Sequence, residues 1–568
     1  MANQRIFLWA ALALVGWLLY DAWMKDYHPA PSSTPAASSG PQSDGPAPAQ
    51  PPGLGQTAPG LPSTQTPAPG TTTLAPTDVP AQAPVDAGAG AVRVVTDVID
   101  VDISLQGGEF VRQDLLQYAK RKGEPGLVRL FERRSGAPEF VFQSGLTSGT
   151  AGNQPDHLAR FTAPATEYQL PSGQDTLVVP LTWTGENGVT VTKTYTFRRG
   201  RYDVPIAYEI ENRGTQPWRA SSYLQIVRDQ PEVDRSMFDP ESYATAGPAM
   251  YDGKKYRKLD IEDEDDRNFS GTVTDGWIGA MQHHFVAAAV PAPKQPYTFN
   301  LNVQNRRFQL TAVGPPQTVE PGGRLVLSEE SFAGPKLQEQ LEDVHPELSR
   351  VADYGALWFL AKPLFIALQW VHNVVGNWGW AIVLVTALLK LLFYPLSEAS
   401  GRSMAKMRAL APRIKNIQDR YKDDREQLGR AMMEMYKREK INPLAGCLPI
   451  LIQIPVFLAF YWVLLESVEM RQAPFMLWID DLSSRDPFFI LPLLMGAAMF
   501  GQYKLNPAPP DPVQAKVFAF MPIIMTVMFA WFPSGLVLYW LTNTVLSIAQ
   551  QWRINRVVEA AAKKQKTE

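Results

Sequence analysis

The run Trp378–Leu396, WGWAIVLVTALLKLLFYPL, constrains this chain more than any other stretch. At about 1.5 Å per residue its 19 residues are just enough to cross the hydrocarbon of a bilayer, and its one charge is Lys390. A bare ammonium in hydrocarbon is costly, so such a residue faces protein, water or a substrate, or snorkels to an interface. Lys390 lies six residues before Leu396, about 9 Å along a helix, and a lysine stem covers only part of that. Thr386, one turn earlier on the same face, favours a polar cavity over snorkelling.

Five more apolar segments bring the expected number of spans to six. Ile6–Met24 reads as an uncleaved anchor rather than a signal peptide, because the DAWMKDYH that ends and follows it has no small-x-small cleavage site. Leu444–Leu465 is uncharged and carries Pro449, Gln453 and Pro455. Pro487–Tyr503 is short. Val517–Phe532 and Gly535–Trp552 are separated only by Pro533-Ser534 and must form an antiparallel hairpin. Leu357–His372 is apolar too, but two consecutive spans could not turn comfortably before Trp378. It reads as an interfacial helix with Trp358, Phe359, Phe365 and Trp370 at headgroup depth.

Charge sets the orientation. The segment between the second and third spans, Glu398–Ile441, holds 12 Lys/Arg, and the tail 554–568 adds more, whereas the loop after the third span has only Arg471 and Arg485. The positive-inside rule places the basic loop and both termini in the cytoplasm and the region after the first span outside.

That outer region has two parts. Residues 25–92 are dominated by Pro, Ala, Ser, Thr, Gly and Gln, which cannot bury enough apolar surface to offset their ordering entropy, and read as a disordered tether. Residues 93–335 alternate apolar and polar, as in VVTDVIDVDISL, TLVVPLTW, VTVTKTYTFRR and FQLTAVG. Turn signals such as Glu186-Asn187-Gly188 punctuate the alternation, and the pattern is that of a β-sandwich. Asp260–Asp266 reads as a solvated acidic loop, with a calcium site as the alternative. His283-His284 reads as strand or loop rather than as metal ligands, and the single cysteine, Cys447, allows no internal disulfide. A linker with the interfacial helix, 336–376, leads into the membrane core, 377–553.

The basic segment 398–441 reads as a helical hairpin. Leu410, Ile414, Ile417 and Tyr421 mark one apolar face, and Leu428, Met432, Met435 and Tyr436 the other. Asp424 with Gln427 looks like a capping box, and Asn442-Pro443 like the start of the third span. Two readings stand: packed helices with solvated charges, or a docking surface for an anionic partner through Arg413, Lys415 and Arg420. The frequent methionines, including Met495 and Met528, suit adaptable core packing or a surface accepting many apolar sequences. No Walker lysine motif, HExxH or GxSxG is present, and no repeated halves suggest a secondary transporter. These features describe a non-enzymatic membrane machine for amphipathic clients.

The stretches SMAKMRALAPRIK, INPLAGCLPILIQIPVFLAFYWVL, VEMRQAPFMLWIDDLSSRDPFFILPLLMG and FMPIIMTVMFAWFPSGLVLYW cover about Val351–Val557, and together they resemble the YidC/Oxa/Alb insertase family. The resemblance implies a polytopic α-helical membrane protein with six transmembrane helices, five of them forming an insertase core around a hydrophilic groove, and a periplasmic β-supersandwich. Lys390 stands where the family commonly has an arginine, which keeps the charge but loses the planar fork for carboxylates. Thr386, Phe457, Met495, Met528, Tyr539 and Trp540 match positions expected to line or face the groove, and Gln453 joins them. Trp540 stands where a second tyrosine is common.

The implied function is insertion and chaperoning of nascent membrane proteins at the bacterial inner membrane, without a cofactor. The implied partners are the nascent clients, the Sec translocase, the ribosome and membrane lipids; nothing points to specific DNA binding. A transporter or channel is the alternative, and an envelope enzyme using the β domain a second one.

Overall fold

The computed structural model describes residues 90–134, 138–148, 153–232, 246–421, 424–439, 448–505 and 512–567. Ile6–Met24, nearly all of the tether, and the Asn442-Pro443 cap lie outside these residues. The tether ends earlier than residue 92, because Ala91–Val95 is already a strand with Val92 and Val94 buried and Arg93 turned out.

Alternation shapes the sheets. In Val189–Arg198 every second residue is buried, and the buried set is Val189, Val191, Lys193, Tyr195 and Phe197. The strands form a sheet of 11 and a sheet of eight. Trp218–Asp229 runs through the larger sheet, with Tyr223 opposite Gly145 on one side and Val313 on the other. Arg324–Pro335 lies within the smaller sheet, between Asp203–Asn212 and Phe285–Val290. The two sheets close on aromatic rings. Phe110 of the larger sheet is 5.7 Å from Phe142 of the same sheet and 5.0 Å from Tyr195 of the smaller.

Several polar groups inside this core are hydrogen-bonded. The Lys193 ammonium donates to the carbonyls of Gly107, Gly108 and Ser144, and burial lowers its pKa to about 7. His157 is buried with Nδ1 2.8 Å from the Tyr223 hydroxyl, and burial lowers its pKa to about 4. In the acidic run Asp260–Asp266, the Asp266 carboxylate accepts from Arg257 and from the Asp260 N–H. Among the described residues no group of three or more His, Cys, Asp or Glu is arranged to hold a metal ion.

Among the described residues, ten α-helices follow the sandwich: α1 (Gln338–Val344), α2 (Trp358–Val375), α3 (Trp378–Leu392), α4 (Tyr394–Ala409), α5 (Ala411–Arg420), α6 (Arg425–Arg438), α7 (Leu448–Glu466), α8 (Ile490–Leu505), α9 (Pro512–Phe529) and α10 (Ser534–Thr567). The sandwich and the helices share a polar junction. Lys336, on the last strand's exit, lies 3.5 Å from Glu466 at the end of α7, and both are buried. His283 contacts the Leu465 carbonyl at 2.9 Å, and Val468 belongs to the sandwich core.

Several boundaries differ from the sequence reading. The run Trp378–Leu396 is not one helix: it bends by 60° between α3 and α4. Pro395 has no N–H for the Leu391 carbonyl and its ring would clash there, so the Phe393 N–H closes α3 instead, on Leu389 and Leu391. Lys390 therefore occupies the last turn of α3, and its distance to Leu396 does not measure its depth. α2 and α3 do turn in the short gap. Gly376, at φ 69°, closes α2, and the Asn377 side chain caps α3 by accepting from Trp380 N–H. On α2, Trp358, Phe359 and Trp370 are exposed, but Phe365 is buried, 6.5 Å from Tyr354, and packs on protein rather than facing headgroups.

Asp486 delays the start of α8 to Ile490 by accepting from the N–H groups of Phe488 and Leu491. α10 continues far beyond Trp552 because the tail is rich in Ala, Lys, Glu and Gln. Among the described residues no single helix is long and apolar enough to cross a membrane; α3 with the first part of α4 passes only as a bent pair. Large apolar side chains nonetheless stay exposed along α3 and α9, among them Leu388, Leu391, Ile523 and Val527.

In the basic hairpin, Leu410, Ile414, Leu428, Met432 and Tyr436 are buried. Asp424 caps α6 by accepting from Glu426 and Gln427 N–H, while its own N–H bonds the Tyr421 carbonyl, which takes the place of a reciprocal arm from Gln427.

Candidate functional site: a polar cleft around Lys390

Helical spacing puts Thr386 and Lys390 on one face of α3, and Tyr539, Asn543 and Ser547 on one face of α10. These faces meet the start of α4 and the first half of α7 around an open cleft of about 490 Å³. Its polar lining is Thr386, Lys390, Ser397, Gln453, Tyr539 and Asn543, and its apolar walls are Leu389, Phe393, Leu396 and Val456.

Lys390 is half-buried, and its ammonium donates to Ser547 Oγ at 2.8 Å. Ser547 in turn donates to the Asn543 carbonyl at 2.7 Å. Among the described residues no carboxylate pairs with Lys390, so its charge is held by a neutral hydroxyl. Two of its three N–H donors are left for water or a ligand. Thr386 is already committed, donating to the Ile382 carbonyl at 2.6 Å, so its contribution to the cleft is shape more than hydrogen bonding.

The aromatic residues form the wall behind the charge. Tyr539 is buried, stacked 4.5 Å from Phe460 and 6.1 Å from Phe457. Trp540 lies 4.7 Å from Phe457 and 5.3 Å from Phe529. This cluster ties α7, α9 and α10 together beside the cleft. Met495 and Met528 do not line it: Met495 is fully buried in the helical core, and Met528 is exposed. Beside Met495, Gly496 permits close approach of α8 and α9, since a Cβ there would stand 2.0 Å from Thr526 Oγ1.

The structure therefore brings together Lys390, Thr386, Gln453 and Tyr539, sets Phe457 and Trp540 just behind, and leaves the two methionines elsewhere. It adds Ser397, Asn543 and Ser547. The signal for the last two was the four-residue spacing from Tyr539, which marks a polar stripe on an otherwise apolar helix. In the hairpin, Arg413 donates to Glu439 at 2.9 Å, bridging the two helices, and Arg420 is exposed; the Lys415 side chain lies outside the described ones.

Residues 370–563 match the family described as the 60Kd inner membrane protein, and residues 91–367 match the YidC periplasmic domain. The membrane protein insertase YidC of Thioalkalivibrio sulfidiphilus is 47% identical over 576 residues, spanning 99% of this chain and 100% of that one. The chain belongs to the YidC family. The YidC of Nitrosococcus oceani is 45% identical, over 98% of this chain and 99% of that one. Among solved structures, an active YidC insertase crystal structure with the first transmembrane domain resolved is 19% identical, with a TM-score of 0.36, over 82% of this chain and 92% of that one. A galactose mutarotase related enzyme from Lactobacillus acidophilus is 9% identical, with a TM-score of 0.27, over 43% of this chain and 97% of that one. As a YidC family member, the chain is a bacterial inner-membrane protein with a periplasmic β-rich domain.

Proposed function

We propose that this membrane protein insertase receives the polar tail of a nascent client in the cleft around Lys390. The client's apolar segment then passes sideways into lipid. The observation that carries this reading is the half-buried ammonium of Lys390, bonded only to Ser547 among the described residues and facing a cleft with apolar walls. A cation there attracts an acidic or polar tail more strongly than it would in bulk water. Each polar group that the cleft hydrates is spared part of the cost of entering hydrocarbon. The partly exposed Phe457 and Trp540 give the apolar segment a surface to slide against, and the final partition into lipid is driven by the client's own hydrophobicity. The reaction breaks no covalent bond and needs no cofactor.

Six spans with both termini in the cytoplasm fit the charge distribution of the sequence. In that orientation the hairpin α5–α6 and the tail of α10 face the ribosome and the anionic headgroups of the inner leaflet. The Sec translocase would work beside the insertase, in the plane of the membrane. Photocrosslinkers placed at Gln453 and Asn543 should capture a ribosome-stalled nascent membrane protein, and one at the fully buried Met495 should not. Equal capture from all three positions would remove the cleft from the pathway.

A further inference from the structure

The segment joining α7 to α8, residues 467–489, carries two tips whose polarity is inverted for a loop in water. Two of its acidic side chains point inward: Asp486 is 1% exposed, and the Asp481 carboxylate accepts from Gln472 N–H, from Ser483 N–H and Oγ, and from Ser484 Oγ. Val468, Met470, Ile479 and Leu482 are buried, but two apolar tips point outward: Leu477 is 77% exposed and Phe488 64%, with Met476 and Phe489 exposed beside them. A solvated loop has the opposite polarity.

The arrangement is also held against strain. Leu477 and Phe489 both sit at φ 57°, a left-handed conformation that bulky side chains rarely adopt and that persists only where the surroundings impose it. Asp486 braces the residues beside both. Its carboxylate accepts from Trp478 Nε1 at 3.1 Å, from Phe488 N–H at 3.0 Å and from Leu491 N–H at 2.6 Å, so the two apolar tips are pinned to one buried group.

The level and side of these tips follow from their neighbours. Phe475 packs on Gly379 in the first turn of α3, with its ring 5.5 Å from Trp380, and the Asn377 amide donates to the carbonyls of Pro474 and Phe475. The apolar surface of the loop thus continues into the exposed Trp380 and Leu384 of α3. The sandwich fixes the side: Arg471 donates to the Ala119 and Lys120 carbonyls of the periplasmic domain. Asp480 lies on that wetter side, its carbonyl accepting from Lys122.

We propose that this loop is a lipid wedge. Met476–Leu477 and Phe488–Phe489 enter the boundary between headgroups and acyl chains of the periplasmic leaflet, about 5–10 Å deep as amphipathic anchors do. The exposed Arg485 lies next to a headgroup phosphate. The wedge fixes the α7–α8 end of the bundle relative to the leaflet while the cleft stays free to work. The proposal rests on the inner-membrane placement of the chain and not on the role of Lys390.

The test uses the full chain with Cys447→Ser and one spin-labelled cysteine at a time, Leu477→Cys, Phe488→Cys, Leu388→Cys or Asp480→Cys, in vesicles of phosphatidylethanolamine and phosphatidylglycerol. Collisions with oxygen, enriched in lipid, are compared with those of a water-soluble nickel chelate. Labels at 477 and 488 should favour oxygen several-fold, as the one at 388 does, and the label at 480 should favour nickel. Water-like behaviour at 477 and 488, with 388 in lipid, would overturn the wedge and leave the membrane placement standing. Labels at 477 and 488 shielded from both reagents would mean that a protein covers the loop, which also overturns it. A water-like label at 388 would overturn the membrane placement itself.

Discussion

Replacing Lys336 by methionine should loosen the junction between the sandwich and the helices. Lys336 and Glu466 are at most 1% exposed, and burial pushes the lysine ammonium below its ordinary pKa. Removing one partner of a buried ion pair costs about 3–5 kcal/mol, because the other is stranded. The low end applies here. The contact is long, at 3.5 Å, and Lys258, paired to Asp353, also acts on Glu466. A cost of about 3 kcal/mol raises the open fraction about 100-fold. Amide hydrogen exchange across residues 466–472 of the reconstituted protein should accelerate by that factor, while exchange in the strand Val189–Arg198 stays unchanged. The double variant Lys336→Met/Glu466→Leu should recover most of the protection, since a well-packed apolar pair often equals a buried ion pair. Unchanged exchange in the single variant, or no recovery in the double, would refute the assignment of this pair as the fastener of the junction.

Three further outcomes follow from single contacts. His157 is held neutral in the fold, with a pKa of about 4 against an ordinary 6.5, so the unfolded chain takes up a proton first as pH falls. Stability should therefore decline between those values by up to about 3 kcal/mol, and His157→Gln should lessen that decline in urea titrations that follow the sandwich signal. Gly496→Ala should cost about 1–3 kcal/mol by pushing α8 from α9, and adding Thr526→Ala should restore much of the thermal stability of the detergent-solubilised protein. Neutralising Arg413, Lys415 and Arg420 together should weaken ribosome co-sedimentation, more so as salt rises, whereas Arg413→Ala alone should cost less than about 1 kcal/mol of hairpin stability because its bridge to Glu439 is exposed. Unchanged co-sedimentation would move ribosome contact to the tail.

The alternating strands were legible in the sequence because one face of each is buried and the other is not, as in Val189–Arg198. Phe140–Thr147 was not legible: all eight residues are buried, and its Gln143 bonds Glu109 and Gln225 inside the core, so polarity no longer marks the outward face. Lys390 and Thr386, one turn earlier, stood out as polar residues in an apolar run. The break beside them was missed, although Pro395 announces it. Ser547 was missed for a different reason: a serine in a helix is unremarked until a lysine 157 residues away reaches it. The Lys336–Glu466 junction has no local signal at all, because its partners lie on elements 130 residues apart. Phe365 shows the converse, a residue whose type suggested a surface role and whose packing places it in the core, and of the two roles open to Met495 its burial fits core packing.

Capture of client tails by the charge of Lys390 carries the proposed function. It is tested most directly by inserting matched clients, whose translocated tails differ only in acidic residues, into vesicles containing Lys390→Ala, Lys390→Arg or the unaltered protein. Lys390→Arg should retain insertion of both tails, because charge and reach survive. Lys390→Ala should slow the acidic tail markedly and the neutral tail little. Equal insertion of both tails by Lys390→Ala, at the unaltered rate, would contradict electrostatic capture.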